Sequence, residues 1–318
     1  MLSPFLLFIL SCLSCLCVGF FPGFGFFASV FWGITLILTG FEQSKRTVIV
    51  MFIVGMLIML FNGMMTYDLK VLFYILAIGL PCAIMGIMAV EQKGYYLMRK
   101  TALLLGIGGT ALYWGLMDQQ GVWSYYNEMF LIKAQTLTRE LLQSGALERY
   151  MTDGISAEML LERFNDFFET AVHLLPAFYF IQMLLAVYCA ITLASIYGLK
   201  HGQRWIVKMP LAVEQMPWQL AWGLIAGLFM AFWDYGTGSE MFYAGLNLMC
   251  MMAPIGFYYG CAVMSGKYYA YTPEKRRRAV LILFFVCIFV PQMLAVFVVL
   301  LGIFDSVINY RHIRIIKK

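Results

Sequence analysis

Charge is scarce in this chain. Of its 318 residues 12% are Asp, Glu, Lys or Arg and 62% are hydrophobic, and only three are histidine. A globule of that length with so little charge could not be kept in solution, so a soluble fold is excluded and a bilayer is the solvent. The net charge of +5 is small and distributed along loops and the tail. That excludes a nucleic-acid footprint and fits contact with anionic lipid. His173, His201 and His312 lie in three separate segments. No His-Glu-x-x-His, Gly-x-Ser-x-Gly or paired-acid motif occurs at membrane depth, so no catalytic residue, metal or cofactor is expected. Basic residues are missing from positions 2–20, where a secretory signal would need them, so the first apolar run reads as a retained helix. All eight cysteines sit inside apolar runs, and the Cys12-x-x-Cys15 spacing has no His or acidic partner nearby; they read as small buried residues.

What charge there is follows a pattern. Lys45 and Arg46, then Lys93, Arg99 and Lys100, then Lys200, Arg204 and Lys208, then Lys267 and Lys275 to Arg278 occupy every second stretch between long apolar runs. This is the alternation of a multi-pass protein with its basic loops in the cytoplasm. Apolar runs at about 5–21, 25–41, 47–63, 70–90, 101–117, 171–198, 217–235, 241–264 and 279–303 approach the ~20 residues a span needs. The expected fold is all-α: a transmembrane helical bundle of 8–9 spans, forming a single integral membrane domain over 1–318. Period-two alternation of a barrel is absent. One run is ambiguous. Pro291-Gln292 divides 279–303 into halves too short to span, leaving one kinked span or a re-entrant hairpin.

Residues 118–170 hold nine acidic residues against four basic ones, which places them outside. Leu160, Leu161, Phe164, Phe167, Phe168 and Ala171 recur at helical spacing and run into the next span, and Tyr126, Phe130, Ala134, Leu137 and Leu141 form a weaker stripe upstream. Breaks at Ser144-Gly145 and Asp153-Gly154 complete an external amphipathic helical hairpin inserted between spans.

Small residues Ser11, Cys15 and Gly19 make a smooth stripe on the first helix. It serves either packing within the bundle or docking to a membrane protein partner. Gly106-x-Gly108-Gly109 lies in a span without a phosphate-loop lysine and reads as packing. Asn62, Gln182, Asn247 and Gln292 are the in-span amides, costly in lipid and therefore structural or functional. Trp222, Trp233, Asp234 and Asn247 are the expected ligand-binding residues, because an acid beside aromatic faces suits a cation. An interfacial aromatic belt is the alternative.

The segments Ser156-Ala-Glu-Met-Leu-Leu-Glu, Gln215-Met-Pro217-Trp-Gln-Leu, Asn247 with Tyr259-Gly260, and Leu301-Gly-Ile-Phe-Asp305-Ser-Val-Ile-Asn-Tyr-Arg311 together resemble the YybS-like family of bacterial membrane proteins. The resemblance covers most of the chain, although an acid is commoner in the family where Asn309 stands. It implies residence in the bacterial cytoplasmic membrane and a loose similarity to the substrate-binding subunits of energy-coupling-factor transporters, which have six helices and dock through small residues on the first. Two functions follow as expectations. One is a ligand-binding or transporter-like protein holding a small organic molecule in an outward-facing aromatic pocket; the other is a non-transporting scaffold or envelope-assembly factor.

Overall fold

The computed structural model describes residues 3–66, 68–119, 157–233 and 239–308, with Tyr235 and scattered positions between 128 and 144. Among them every regular element is helical. The chain divides into two compact units, Met1–Lys208 and Met209–Lys318.

The first unit opens with α1 (Pro4–Phe20), whose Ser3 side chain accepts from the Leu6 N–H and whose first position is proline. A 3-10 turn at Pro22–Phe24 leads into α2 (Gly25–Glu42), then α3 (Lys45–Thr66) and α4 (Lys70–Val90). α5 (Tyr95–Gln119), α6 (Ala157–His173) and α7 (Leu175–Lys200) complete it. Its core is the indole of Trp32 on α2, which is fully buried, stacks on Phe52 of α3 with 5.7 Å between ring centroids, and has no hydrogen-bond partner for its N–H among the described residues. The ring fits because its neighbours are glycines. A Cβ on Gly55 would lie 2.6 Å from the indole nitrogen, and one on Gly79 of α4 would strike the six-membered ring. Gly40 and Gly86 likewise bring the backbones of α2 and α4 into contact.

α4 is not uniform. Residues Tyr74–Gly79 form a π-helical stretch in which the Leu80 N–H reaches back to the Ile75 carbonyl. Pro81 follows and has no N–H to return to the preceding turn. The Leu76 and Ala77 carbonyls face Gly109 and Gly106 of α5, where any side chain would collide or crowd, whereas Gly108 faces open space. The glycine run is therefore packing, as its sequence suggests, but only two of its three members do it.

The basic stretches of this unit gather at one end. Lys45 pairs with Glu91, Lys93 lies 3.8 Å from the same carboxylate, and the Tyr197 hydroxyl donates to Glu42 at 3.0 Å. The Lys45 hydrogen bond, then its charge, holds the Glu91 carboxyl below its usual range. A lowered folded value means the link is present above the ordinary glutamate range and is lost as pH falls through the lowered one.

In the second unit a 3-10 turn at Leu211–Val213 and another at Trp218–Leu220 precede α8 (Ala221–Trp233), α9 (Glu240–Ala270), α10 (Pro273–Phe289) and α11 (Pro291–Ile308). α8 crosses α9 at Gly227 and Gly245, and α9 crosses α11 at Gly256, Gly260 and Gly302. Gly260 meets Val298 while Gly256 meets Val299 and Ile303, so α11 runs antiparallel to α9. Arg276 turns back to donate to the carbonyls of Tyr268, Tyr269 and Tyr271, which closes the end of α9.

Among the described residues six helices are long and apolar enough to cross a membrane: Gly25–Glu42, Lys45–Thr66, Lys70–Val90, Leu175–Lys200, Glu240–Ala270 and Pro291–Ile308; Pro4–Val18 and Trp218–Trp233 are apolar but shorter. The expected run at 279–303 is divided between two helices. Val290 is driven out of helical geometry (φ −141°, ψ 56°) by the proline after it, so α10 ends there and α11 alone makes the crossing-length helix. The expected amphipathic stretch before the sixth run is helical as α6, but it stops at Leu174 instead of running on. Most of the upstream stripe, Gly145 and the Asp153-Gly154 break fall outside the described residues, while Ser144 is a turn whose N–H reaches the Glu140 carbonyl at 2.9 Å.

Gly109→Leu should destabilise the protein by about 1–3 kcal/mol through overpacking, whereas Gly108→Ala should be neutral or stabilise it by up to about 1 kcal/mol. Thermal unfolding in detergent checks both.

Candidate functional site

Aromatic rings converge on Tyr179, one turn inside the start of α7. Phe73 meets it edge-on at 4.7 Å between centroids, Trp114 edge-on at 5.3 Å, and Tyr113 at 5.5 Å with a tilt of 31°. Phe73 also contacts Tyr113 and Tyr74, each at 5.6 Å. Three helices thus supply one cluster, and its spacings are those of attractive edge-to-face pairs. Phe73 and Tyr113 are buried, while Tyr179 and Trp114 are partly open.

Polar groups stand at its border. The Gln182 side chain, one turn along α7 from Tyr179, lies within reach of the Tyr74 hydroxyl. Tyr74 opens the π-helical stretch, and Gly25 at the start of α2 leaves room for its hydroxyl, 3.1 Å from where a Cβ would lie. Elsewhere in the unit, Asn62 on α3 is buried with its amide nitrogen unpartnered among the described residues. The rings lie about 24 Å along α4 from the end that carries Glu91. Such an arrangement can hold an apolar or aromatic molecule against ring faces and fix its orientation through an amide and a phenol.

The second unit holds a different feature. Glu214 is buried and accepts a 2.8 Å hydrogen bond from Tyr258 of α9, and the turn just before it packs on that helix. Asp305 on α11 is also buried.

The residues expected from sequence are placed as follows. Trp222 and Trp233 stand exposed on α8. Asn247 is half-buried on α9 and donates to the Tyr243 carbonyl of its own helix. Asp234 lies outside the described residues, as do Asn309, Arg311 and His312. Ser11 and Cys15 are buried on α1, with Cys15 against Gly55 of α3, and Gly19 belongs to the same helix. Gln182 and Asn62 were visible in the sequence as in-span amides, but Tyr74, Tyr113, Trp114 and Tyr179 were not singled out. Their signal was present: each is an aromatic within two turns of a span end on the side away from the basic loops.

A family model described as "Predicted membrane protein (DUF2232)" matches residues 8–306. No curated protein and no solved structure matches the chain.

Tyr179→Ala should lower stability by about 2 kcal/mol or more, because three ring contacts lose their common partner. Tyr179→Phe keeps the rings and should lie within about 1 kcal/mol of the parent by the same measurement.

Proposed function

The chain belongs to the DUF2232 family, and on the premise that it is therefore an integral membrane protein we propose that it binds a small organic molecule in a transporter-like manner at the Tyr179 cluster. The observation that carries this reading is the coincidence of the π-helical stretch Tyr74–Gly79 with the aromatic and amide groups of two other helices, α5 and α7. An inserted π-turn is less regular than the helix around it and recurs at functional sites. With the basic loops in the cytoplasm, the cluster opens outward, in the cytoplasmic membrane of a bacterium. The YybS-like resemblance and the looser one to energy-coupling-factor subunits support a binding subunit that works with a partner, by analogy of fold.

A scaffold reading draws on α10, which buries none of its side chains and exposes Phe284, Phe285 and Ile288. Native mass spectrometry of gently purified protein separates the two. A stoichiometric small molecule that disappears in Tyr179→Ala and Gln182→Ala, with the fold retained, supports binding. Co-purifying envelope proteins with no small molecule would support the scaffold and overturn the first reading.

A further inference from the structure

In the second unit α10 buries no residue, and its less exposed positions, Arg276, Ala279, Leu283 and Val286, fall on one stripe at helical spacing. That stripe borders a groove of about 650 Å³, lined by Met264 and Tyr268 of α9, Leu283 and Val286 of α10, and Leu294 and Phe297 of α11. Its walls are apolar or aromatic throughout except at Lys267. The volume is that of a ligand cleft.

Four cations, Lys275 to Arg278, stand in the first turns of the same helix. Arg276 is occupied by the carbonyls that end α9, but Lys275, Arg277 and Arg278 are exposed and make no hydrogen bond or ion pair among the described residues. Glu274, the acid beside them, pairs with none of them. The helix itself gains nothing from this arrangement. Positive charge at a helix N-terminus opposes the macrodipole, and the Thr272 side chain makes no capping bond to the first N–H groups. An anion would satisfy the cations and the helix end together.

Place and length decide what carries that anion. Lys275 and Arg278 stand one turn before Ala279 and Ile282, both of which line the groove, so the charges lie at its mouth. The apolar run 279–289 rises about 16 Å, the depth of one leaflet in a hydrocarbon core about 30 Å thick. Cations at one end of an apolar trough one leaflet long fit a molecule with a negative head and a long apolar tail. Free phosphate would use only the cations.

We propose that the groove between α9, α10 and α11 is a binding site for an anionic phospholipid, with its headgroup phosphate on Lys275, Arg277 and Arg278 and one acyl chain against Leu283, Val286 and Phe297. The full chain is purified in maltoside micelles and titrated with phosphatidylglycerol or with phosphatidylcholine of the same chains, and bound lipid is counted by native mass spectrometry. Phosphatidylglycerol should reach half occupancy at a concentration about tenfold or more below phosphatidylcholine, because each basic residue near a lipid surface contributes a factor of about five. Lys275→Gln combined with Arg278→Gln should remove most of that preference and leave phosphatidylcholine unchanged. Lys275→Arg combined with Arg278→Lys, which keeps the charge, should bind as the parent does, and so should Phe284→Trp on the exposed side of α10. Leu283→Trp, which fills the groove, should weaken both lipids. Equal retention of the two lipids, Gln variants that keep the preference, a Leu283→Trp protein that binds as the parent does, or competition by glycerol phosphate at the concentrations of the lipid overturns the proposal.

Discussion

Lipid tails are as apolar as leucine, so helices in a membrane gain little by hiding side chains from their solvent and must gain by approaching closely. Both units are built on that constraint. Trp32 fits between α3 and α4 because positions 55 and 79 carry no side chain, and α2 meets α4 backbone to backbone at Gly40 and Gly86. The second unit repeats the solution with no tryptophan against its crossing glycines, through Gly227 and Gly245 on one side of α9 and Gly256, Gly260 and Gly302 on the other. Backbone contacts so close leave no slack, and each carbonyl at a crossing faces a neighbour that cannot be enlarged.

The same constraint shapes the candidate site. Pro81 withdraws a donor from α4, and in water the freed carbonyls would be hydrated; in lipid they must be covered by protein. Gly106 and Gly109 bring α5 against them, which fixes α5 on α4 and holds Tyr113 and Trp114 over Phe73 and Tyr179. The π-helical register, the glycine contacts and the ring cluster are thus one arrangement. The glycines hold the bundle around an irregular turn, and that turn opens with Tyr74 against the ring cluster.

Much of the helix layout was legible from hydropathy, because the bilayer imposes one length on every crossing, and runs such as 25–41 and 70–90 became Gly25–Glu42 and Lys70–Val90. Local backbone chemistry was harder to read. Pro291 announced a break, but hydropathy could not say that the residues before it form a separate helix whose basic start folds onto α9 through Arg276. Tertiary convergence was not legible at all. Tyr74 and Gln182 are 108 positions apart and Glu214 and Tyr258 are 44 apart, and no periodicity within a span reports which partner a face will meet. Aromatic enrichment drew attention to Trp222 and Trp233 because they are tryptophans near a span end, yet both stand exposed, where a belt residue would also stand.

If close approach at glycine holds the bundle, Trp32 and Gly79 must act as a pair. The direct measurement is a double-mutant cycle on thermal stability with Gly79→Ala and Trp32→Leu. Gly79→Ala alone should destabilise by about 1–3 kcal/mol, since its methyl meets the indole, and should cost much less once the smaller Leu is in place. Additive effects, or a harmless Gly79→Ala in the parent, would contradict the account.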